Sequence, residues 1–329
     1  MIGIFRQKNP GNSLILFIYA LVLKFPSFLR PLPALKQEED HYLYNWLLNF
    51  LAPLHIPNVG FSVLSFVLIL IQASLLNRIC NVLKMFPKSS FLPAMAYILL
   101  SSLLPEWNQF SAPLLINTFL IWMFYRMSML YNTNNPNISV FNIGLIIGLM
   151  TLVNEPAILF VLLIPFALFI MRPFRIREWL IGFLGVTTPY YFLAITLYLT
   201  DKFELNRVLP SINLDFPAIP SSIAATIAIA MLVIPFMQGG YYVQENLNKM
   251  LIQGRKTWSL LLIFLIVSLL IILVNGGNHY VNWICCLIPL AVFHAAAYFY
   301  PTRSLFASLM HWVIFLFALT VNYFPQVIP

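Results

Sequence analysis

The stretch PLPALKQEEDHYLYNWLLNFLAPL, residues 31–54, decides how the rest of the chain is arranged. It holds the densest acidic cluster of the sequence, Glu38, Glu39 and Asp40, and passes at once into a helical pattern. Tyr42, Leu43, Trp46, Leu47, Phe50, Leu51 and Leu54 recur at helical spacing on one face, with Asn45 and Asn49 on another. That is the pattern of a helix lying flat in a membrane interface. The spacing therefore predicts three carboxylates held just above a bilayer surface.

The sequence on either side is apolar. Of 329 residues 61% are hydrophobic, 16% aromatic and 9% charged, with a mean hydropathy of +0.87; a soluble domain carries about a quarter of its residues charged. The expectation is an all-α integral membrane protein, one polytopic domain over residues 1–329. With no room for a soluble domain, any site must be built from helix ends and short loops. Apolar runs fit spans at roughly 12–29, 59–77, 91–105, 112–130, 139–153, 157–171, 179–200, 221–238, 258–275, 280–299 and 304–323, about eleven in all. Pro93, Pro105, Pro113, Pro156 and Pro165 bound several of them, so bent or broken helices are expected. The basic start MIGIFRQKNPGNS leads into an apolar run without a small-residue cleavage site, which reads as an uncleaved first span.

Charge sets the expected orientation. Cytoplasmic loops are enriched in Lys and Arg. A cytoplasmic N-terminus puts most basic residues inside, including Arg172, Arg175 and Arg177; Arg30, Lys36, Lys202 and Arg207 fall outside, and Lys24 sits near a span end. Keeping Asn154-Glu155-Pro156 as a turn between two short spans preserves this parity. The acids go the other way, leaving only Glu178 and Glu245 within. Glu155, an acid between two apolar runs, needs a partner or a task. The formal charge of +8 comes from basic residues set singly or in threes beside apolar runs, which orient helices and do not read as a nucleic-acid surface.

Three outer segments are expected to converge: the Glu38-Glu39-Asp40 loop, the Asn154-Glu155-Pro156 turn, and Asn275-Gly276-Gly277-Asn278-His279-Tyr280. A carboxylate there could act as general base toward an acceptor hydroxyl, or the Glu39/Asp40 loop could hold a divalent cation. His279, or an arginine such as Arg207, could neutralise a lipid phosphate.

Other signals are weaker. Cys80, Cys285 and Cys286 have neither disulfide nor zinc spacing and read as packing residues. His41, His55, His279, His294 and His311 include no pair three or four residues apart on a helix, which argues against a histidine metal site; His294 and His311 are expected to find partners inside the bundle. Gly144 and Gly148 read as a small-residue packing face. Tyr190-Tyr191 and Tyr241-Tyr242 read as interface anchors. No phosphate loop, dinucleotide fingerprint or Ser-His-Asp candidate occurs.

Several of these residues also carry a resemblance. Glu39-Asp40-His41-Tyr42-Leu43-Tyr44-Asn45-Trp46, following a first span, resembles the acid-acid-x-Tyr start of the first outer loop in GT-C superfamily glycosyltransferases, polytopic enzymes that use lipid-phosphate-linked sugars. Gly144 to Met150 through Pro156, then Pro165 and a basic loop, is similar to their middle helix pair. His279-Tyr280 leading through Pro289 to Ala295-Ala296-Ala297 resembles their late helix. The resemblance implies a GT-C-like seven-span module over 1–200, then an outer loop and four further spans over 201–329. It also implies an outward-facing transferase in the bacterial inner membrane with a polyprenyl-phosphate sugar donor. Glu39 would stand at the catalytic acid, with Asp40 beside it and Glu38 in reserve; His279 and Tyr280 would lie near the donor phosphate and Glu155 in the cavity wall. The opening MIGIFRQKNPGN and the general pattern are also similar to an uncharacterised multi-spanning membrane family of Bacteroidota. Two other readings stay open: a non-enzymatic integral component of an envelope assembly or export system, and a transporter or lipid flippase working through mid-span polar groups such as Gln72 or Asn117.

Overall fold

A backbone surrounded by hydrocarbon must satisfy its own hydrogen bonds, and helices do so within one segment. A computed structural model describes residues 1–329 except 8, 10, 132, 205–207, 211–221, 274–279, 302–303 and 325–329. The described residues are helical and contain no strand beyond one isolated bridge. The helices are α1 (Ile2–Phe5), α2 (Asn12–Lys24), α3 (Pro26–Leu29), α4 (Tyr42–Leu51), α5 (Asn58–Val82), α6 (Leu92–Leu100), α7 (Ala112–Ser128) and α8 (Asn137–Val153). There follow α9 (Leu163–Met171), α10 (Ile176–Leu199), α11 (Ile223–Asn246), α12 (Ile252–Ile271), α13 (Leu287–Phe299) and α14 (Ser304–Tyr323). 3-10 turns at Glu155–Leu162 and Tyr280–Cys286 lead into α9 and α13.

Every apolar run contains helix, but the lengths differ from the expectation of about eleven spans. Among the described residues six helices are long and apolar enough to cross a membrane: Asn58–Val82, Ile176–Leu199, Ile223–Lys249, Ile252–Ile271, Tyr280–Phe299 and Leu305–Tyr323. This is the build of a multi-pass membrane protein. Asn12–Lys24, Asn137–Val153 and Glu155–Met171 are shorter apolar helices. The run at 91–105 departs most: α6 has nine residues, all buried, about 14 Å long at 1.5 Å per residue. Ser101 and Ser102 both donate their hydroxyls to the Ile98 carbonyl, an alternative to continuing the helix, and Pro105 then opens a 3-10 turn.

Residues apolar all round a helix belong at the centre of a bundle. α6 and α13 are such helices, buried along their whole lengths and packed on each other, with α11 against α13 and α5 against α6. The Gly144/Gly148 face is a packing seam, as the spacing predicts. α8 lies so close to α10 that a Cβ on Gly144 would land on the Gly182 carbonyl oxygen, and one on Gly148 on the Val186 carbonyl oxygen. The three cysteines are free and buried. At the start of α10, Arg172 donates to Glu178 (Nε to Oε2, 3.0 Å) and to the carbonyls of Leu130 and Thr133, closing the loop after α9.

The expectation that both interior histidines find partners is corrected. His294 Nε2 lies 2.9 Å from the Leu232 carbonyl, but its Nδ1 has no partner among the described residues. His311 has none at either nitrogen. It is held as a flat aromatic ring, stacked on Tyr19 and Phe315 with Tyr298 edge-on at 5.9 Å.

Two outcomes follow for stability in detergent. Gly144→Ala forces α8 from α10 and should cost about 1–3 kcal/mol. Gly240→Ala, inside a helix where a Cβ meets nothing within 4 Å, should instead raise stability by about 0.4–1 kcal/mol. Equal melting temperatures for the two would show that the seam is not tight. His311→Phe keeps a ring and removes two unpartnered nitrogens, so it should raise stability by about 1–3 kcal/mol.

Candidate functional site

α8 stops at Val153 because Asn154 turns extended (φ −150°, ψ 126°) ahead of Pro156, which cannot donate to the ladder. The last turn of a helix leaves carbonyls without partners. Here the acidic loop supplies one: His41 N–H donates to the Val153 carbonyl (3.1 Å), and Glu155 N–H donates in turn to the Glu39 carbonyl (3.0 Å). Asp40 and Asn154 thereby form the isolated antiparallel bridge. The same loop is held on its other side, where Leu35 N–H meets the Phe110 carbonyl and the Gln109 side chain meets the Pro33 carbonyl. Asn45, one turn into α4, donates to the Asp40 and His41 carbonyls.

Two of the three expected segments thus meet through their main chains. Asp40 is buried, with one carboxylate oxygen accepting from Gln37 N–H (2.7 Å) and the other from the Asn154 amide (3.4 Å). Glu39 is half-buried and accepts at 2.6 Å from the side chain of Asn282, which lies two residues past Tyr280. Glu155 faces His41, with 3.9 Å between Oε1 and Nε2. Glu38 is exposed. The third segment is represented by Tyr280, whose carbonyl accepts from the Trp107 indole (2.9 Å) and whose ring stands edge-on to Trp283. His279 and Arg207 lie outside the described residues, as do residues 275–278.

Burial pushes the Glu39 carboxyl up to about 7; the charges of Asp40, Glu155 and Glu38 push the same way, and the Asn282 amide pulls back. Asp40 is raised to about 6 by burial, against the pull of Gln37 N–H, the Asn154 amide and Lys36. A carboxyl that changes protonation near neutrality can take up a proton from a substrate hydroxyl. The expected cation is harder to accommodate. Among the described residues no group of three or more His, Cys, Asp or Glu side chains could hold a metal ion, and N–H donors already occupy both Asp40 oxygens and one of Glu39.

Beside the clasp lies an apolar groove of about 500 Å³ between α4, α8 and α10, lined by residues that include Tyr42, Trp46, Leu149, Leu152, Pro189 and Phe192. Tyr42 and Leu152 directly follow and precede the clasped His41 and Val153. Trp46 stacks on Phe50 at 5.6 Å, both exposed, so the outward face of α4 is apolar as the spacing predicts. The inward anchor is instead Tyr44, fully buried and donating to the Leu35 carbonyl. Asn282 and His41 escaped sequence reasoning. An asparagine inside the apolar run YVNWICC is a signal for the first, because a polar side chain there needs a partner.

A family model described as a family of unknown function, DUF6427, matches residues 43–329, and the chain belongs to that family. Glu155, Tyr280 and Asn282 fall within the match, and Glu38, Glu39 and Asp40 just before it. No curated protein and no solved structure matches.

The pH dependence of the clasp has a definite sign. The fold favours the neutral form of Glu39, so its contribution to stability is full below the ordinary value of 4.5 and is lost as pH rises through about 7. Melting curves should show the wild type losing more stability between pH 5 and pH 8 than Glu39→Gln. Identical slopes would mean that Glu39 is solvated and ordinary.

Proposed function

We propose that this protein is a multi-pass membrane transferase that moves a sugar from a polyprenyl-phosphate carrier to an acceptor hydroxyl at the outer face of the bacterial cytoplasmic membrane. The observation that carries the reading is Glu39: a half-buried carboxyl pushed up to about 7, in a clasp whose neighbours Tyr42 and Leu152 line an apolar groove of about 500 Å³. The resemblance of the Glu39 to Trp46 stretch to GT-C enzymes supports it. Charge asymmetry supports the orientation, with Arg172, Arg175 and Arg177 in the cytoplasm, as is the N-terminus, and the acidic loop outside.

In this reading Glu39 takes the proton of the acceptor hydroxyl as its oxygen attacks the anomeric carbon. The bond from that carbon to the phosphate oxygen breaks, and polyprenyl phosphate leaves. A single displacement inverts the anomeric centre. Asn282 and Asp40 position Glu39, the first through its hydrogen bond and the second through the bridge to Asn154. Glu155 and His41 form the wall beside it. Tyr280 stands near the donor phosphate; His279 and Arg207 are assigned there by resemblance alone. Glu38 contributes negative charge from the exposed side.

One observation favours a second reading, a non-enzymatic envelope component. The Asp40 carboxylate is wholly engaged by Gln37 N–H and Asn154, the pattern of a structural clasp. A single experiment separates the two. In the native host Glu39→Gln should abolish a surface-glycan phenotype, a loss of at least about 100-fold for a missing general base, with protein level unchanged. If Glu39→Gln, Asp40→Asn and the double variant are all silent at normal protein levels, the transferase reading fails and the clasp reading stands.

A further inference from the structure

A second cavity, of about 250 Å³, lies near the start of the same loop, between α3, α5, α14 and the Pro105–Asn108 turn. Its wall is largely apolar, with Pro26, Leu32, Phe110 and Val321, and Arg30 is the one charged residue among the described residues that line it. Arg30 stands at the rim, exposed. Asn108 and Asn322 line the inner side, and directly behind Asn108 lies the buried Lys24.

Lys24 is the anomaly. Its Nζ donates to the Ser101 carbonyl (2.6 Å), the Ser101 hydroxyl (3.0 Å) and the Asn108 side-chain oxygen. Three acceptors match the three N–H donors of an ammonium. No carboxylate pairs with Lys24 or with Arg30 among the described residues. Glu106, on the same turn, does not line the cavity. Buried cations are ordinarily paired, because an uncompensated charge in low dielectric is costly. Hydrogen bonds tie the lysine to the cavity wall: Asn108 accepts from Lys24 and donates to Asn322 (2.8 Å), which donates to the Ser102 and Ala318 carbonyls.

We propose that this cavity binds a phosphate group, with Arg30 as its direct ligand and the second amide hydrogen of Asn108 as a donor, Asn108 being held in place from behind by Lys24. A guanidinium suits phosphate oxygens, and the apolar wall suits the first carbons of a lipid chain. The phosphate can come from an anionic phospholipid headgroup or from free phosphate. The proposal does not depend on Glu39: binding is read without turnover, so either can fail alone.

Protein reconstituted in nanodiscs of phosphatidylglycerol and phosphatidylcholine is extracted into detergent, and retained lipid is counted by native mass spectrometry. Wild type should retain phosphatidylglycerol in preference to phosphatidylcholine. Arg30→Gln should weaken that retention about ten-fold, the loss of one charge-assisted contact. Lys36→Gln removes an exposed charge from the same loop away from the cavity and should leave retention unchanged. Inorganic phosphate is titrated in a second arm by 31P line broadening. Broadening that depends on Arg30, without retained lipid, assigns the site to the free anion; retained phosphatidylglycerol that phosphate does not displace assigns it to the headgroup. Equal retention of both lipids together with no Arg30-dependent broadening overturns the proposal, as does equal loss in Arg30→Gln and Lys36→Gln.

Discussion

Two main-chain hydrogen bonds, His41 to Val153 and Glu155 to Glu39, hold the acidic end of the molecule together. They join a loop and a helix break that are far apart in sequence and would otherwise leave polar backbone unpaired beside hydrocarbon. The consequence is electrostatic. Main-chain pairing brings Glu39, Asp40 and Glu155 into one neighbourhood whether or not their charges favour it, and the proximity helps to raise Glu39. Backbone geometry imposes the juxtaposition, and the carboxyls respond by holding their protons longer.

The clasp depends on helices that approach closely. Gly144 and Gly148 let α8 lie against α10, and the two helices together form one side of the apolar groove. In a bilayer, where association gains little from the hydrophobic effect, close backbone packing of this kind is a principal source of specificity.

Much of this was legible in the sequence, and what was not has identifiable causes. The helical runs, the glycine face and the convergence of the acidic loop with the Asn154-Glu155 turn followed from hydropathy, spacing and the parity of helix ends. The bridge did not, because a pairing one residue long has no periodicity. Span lengths failed where apolar sequence continues through a chain reversal: residues 91–105 read as one run, yet two serines and a proline end α6 inside the bundle. Lys24 read as a residue near a span end because charge is expected at interfaces, whereas the fold buries it against the 101–108 segment. His311 was expected to bond, and instead an aromatic stack holds it by its faces.

The two ends of the bundle treat buried charge differently. Near the basic loop after α9, Arg172 meets Glu178 and the pair neutralises itself. At the acidic end asparagine amides meet three of the buried or half-buried groups, Asn282 at Glu39, Asn154 at Asp40 and Asn108 at Lys24, while Glu155 faces His41. An amide can donate or accept, so it satisfies the hydrogen-bonding needs of either ion without cancelling its field. A neutralised pair has little left to offer a ligand. At Glu39 and Asp40 burial outweighs the amides and favours the neutral carboxyl, so both groups change protonation close to neutrality.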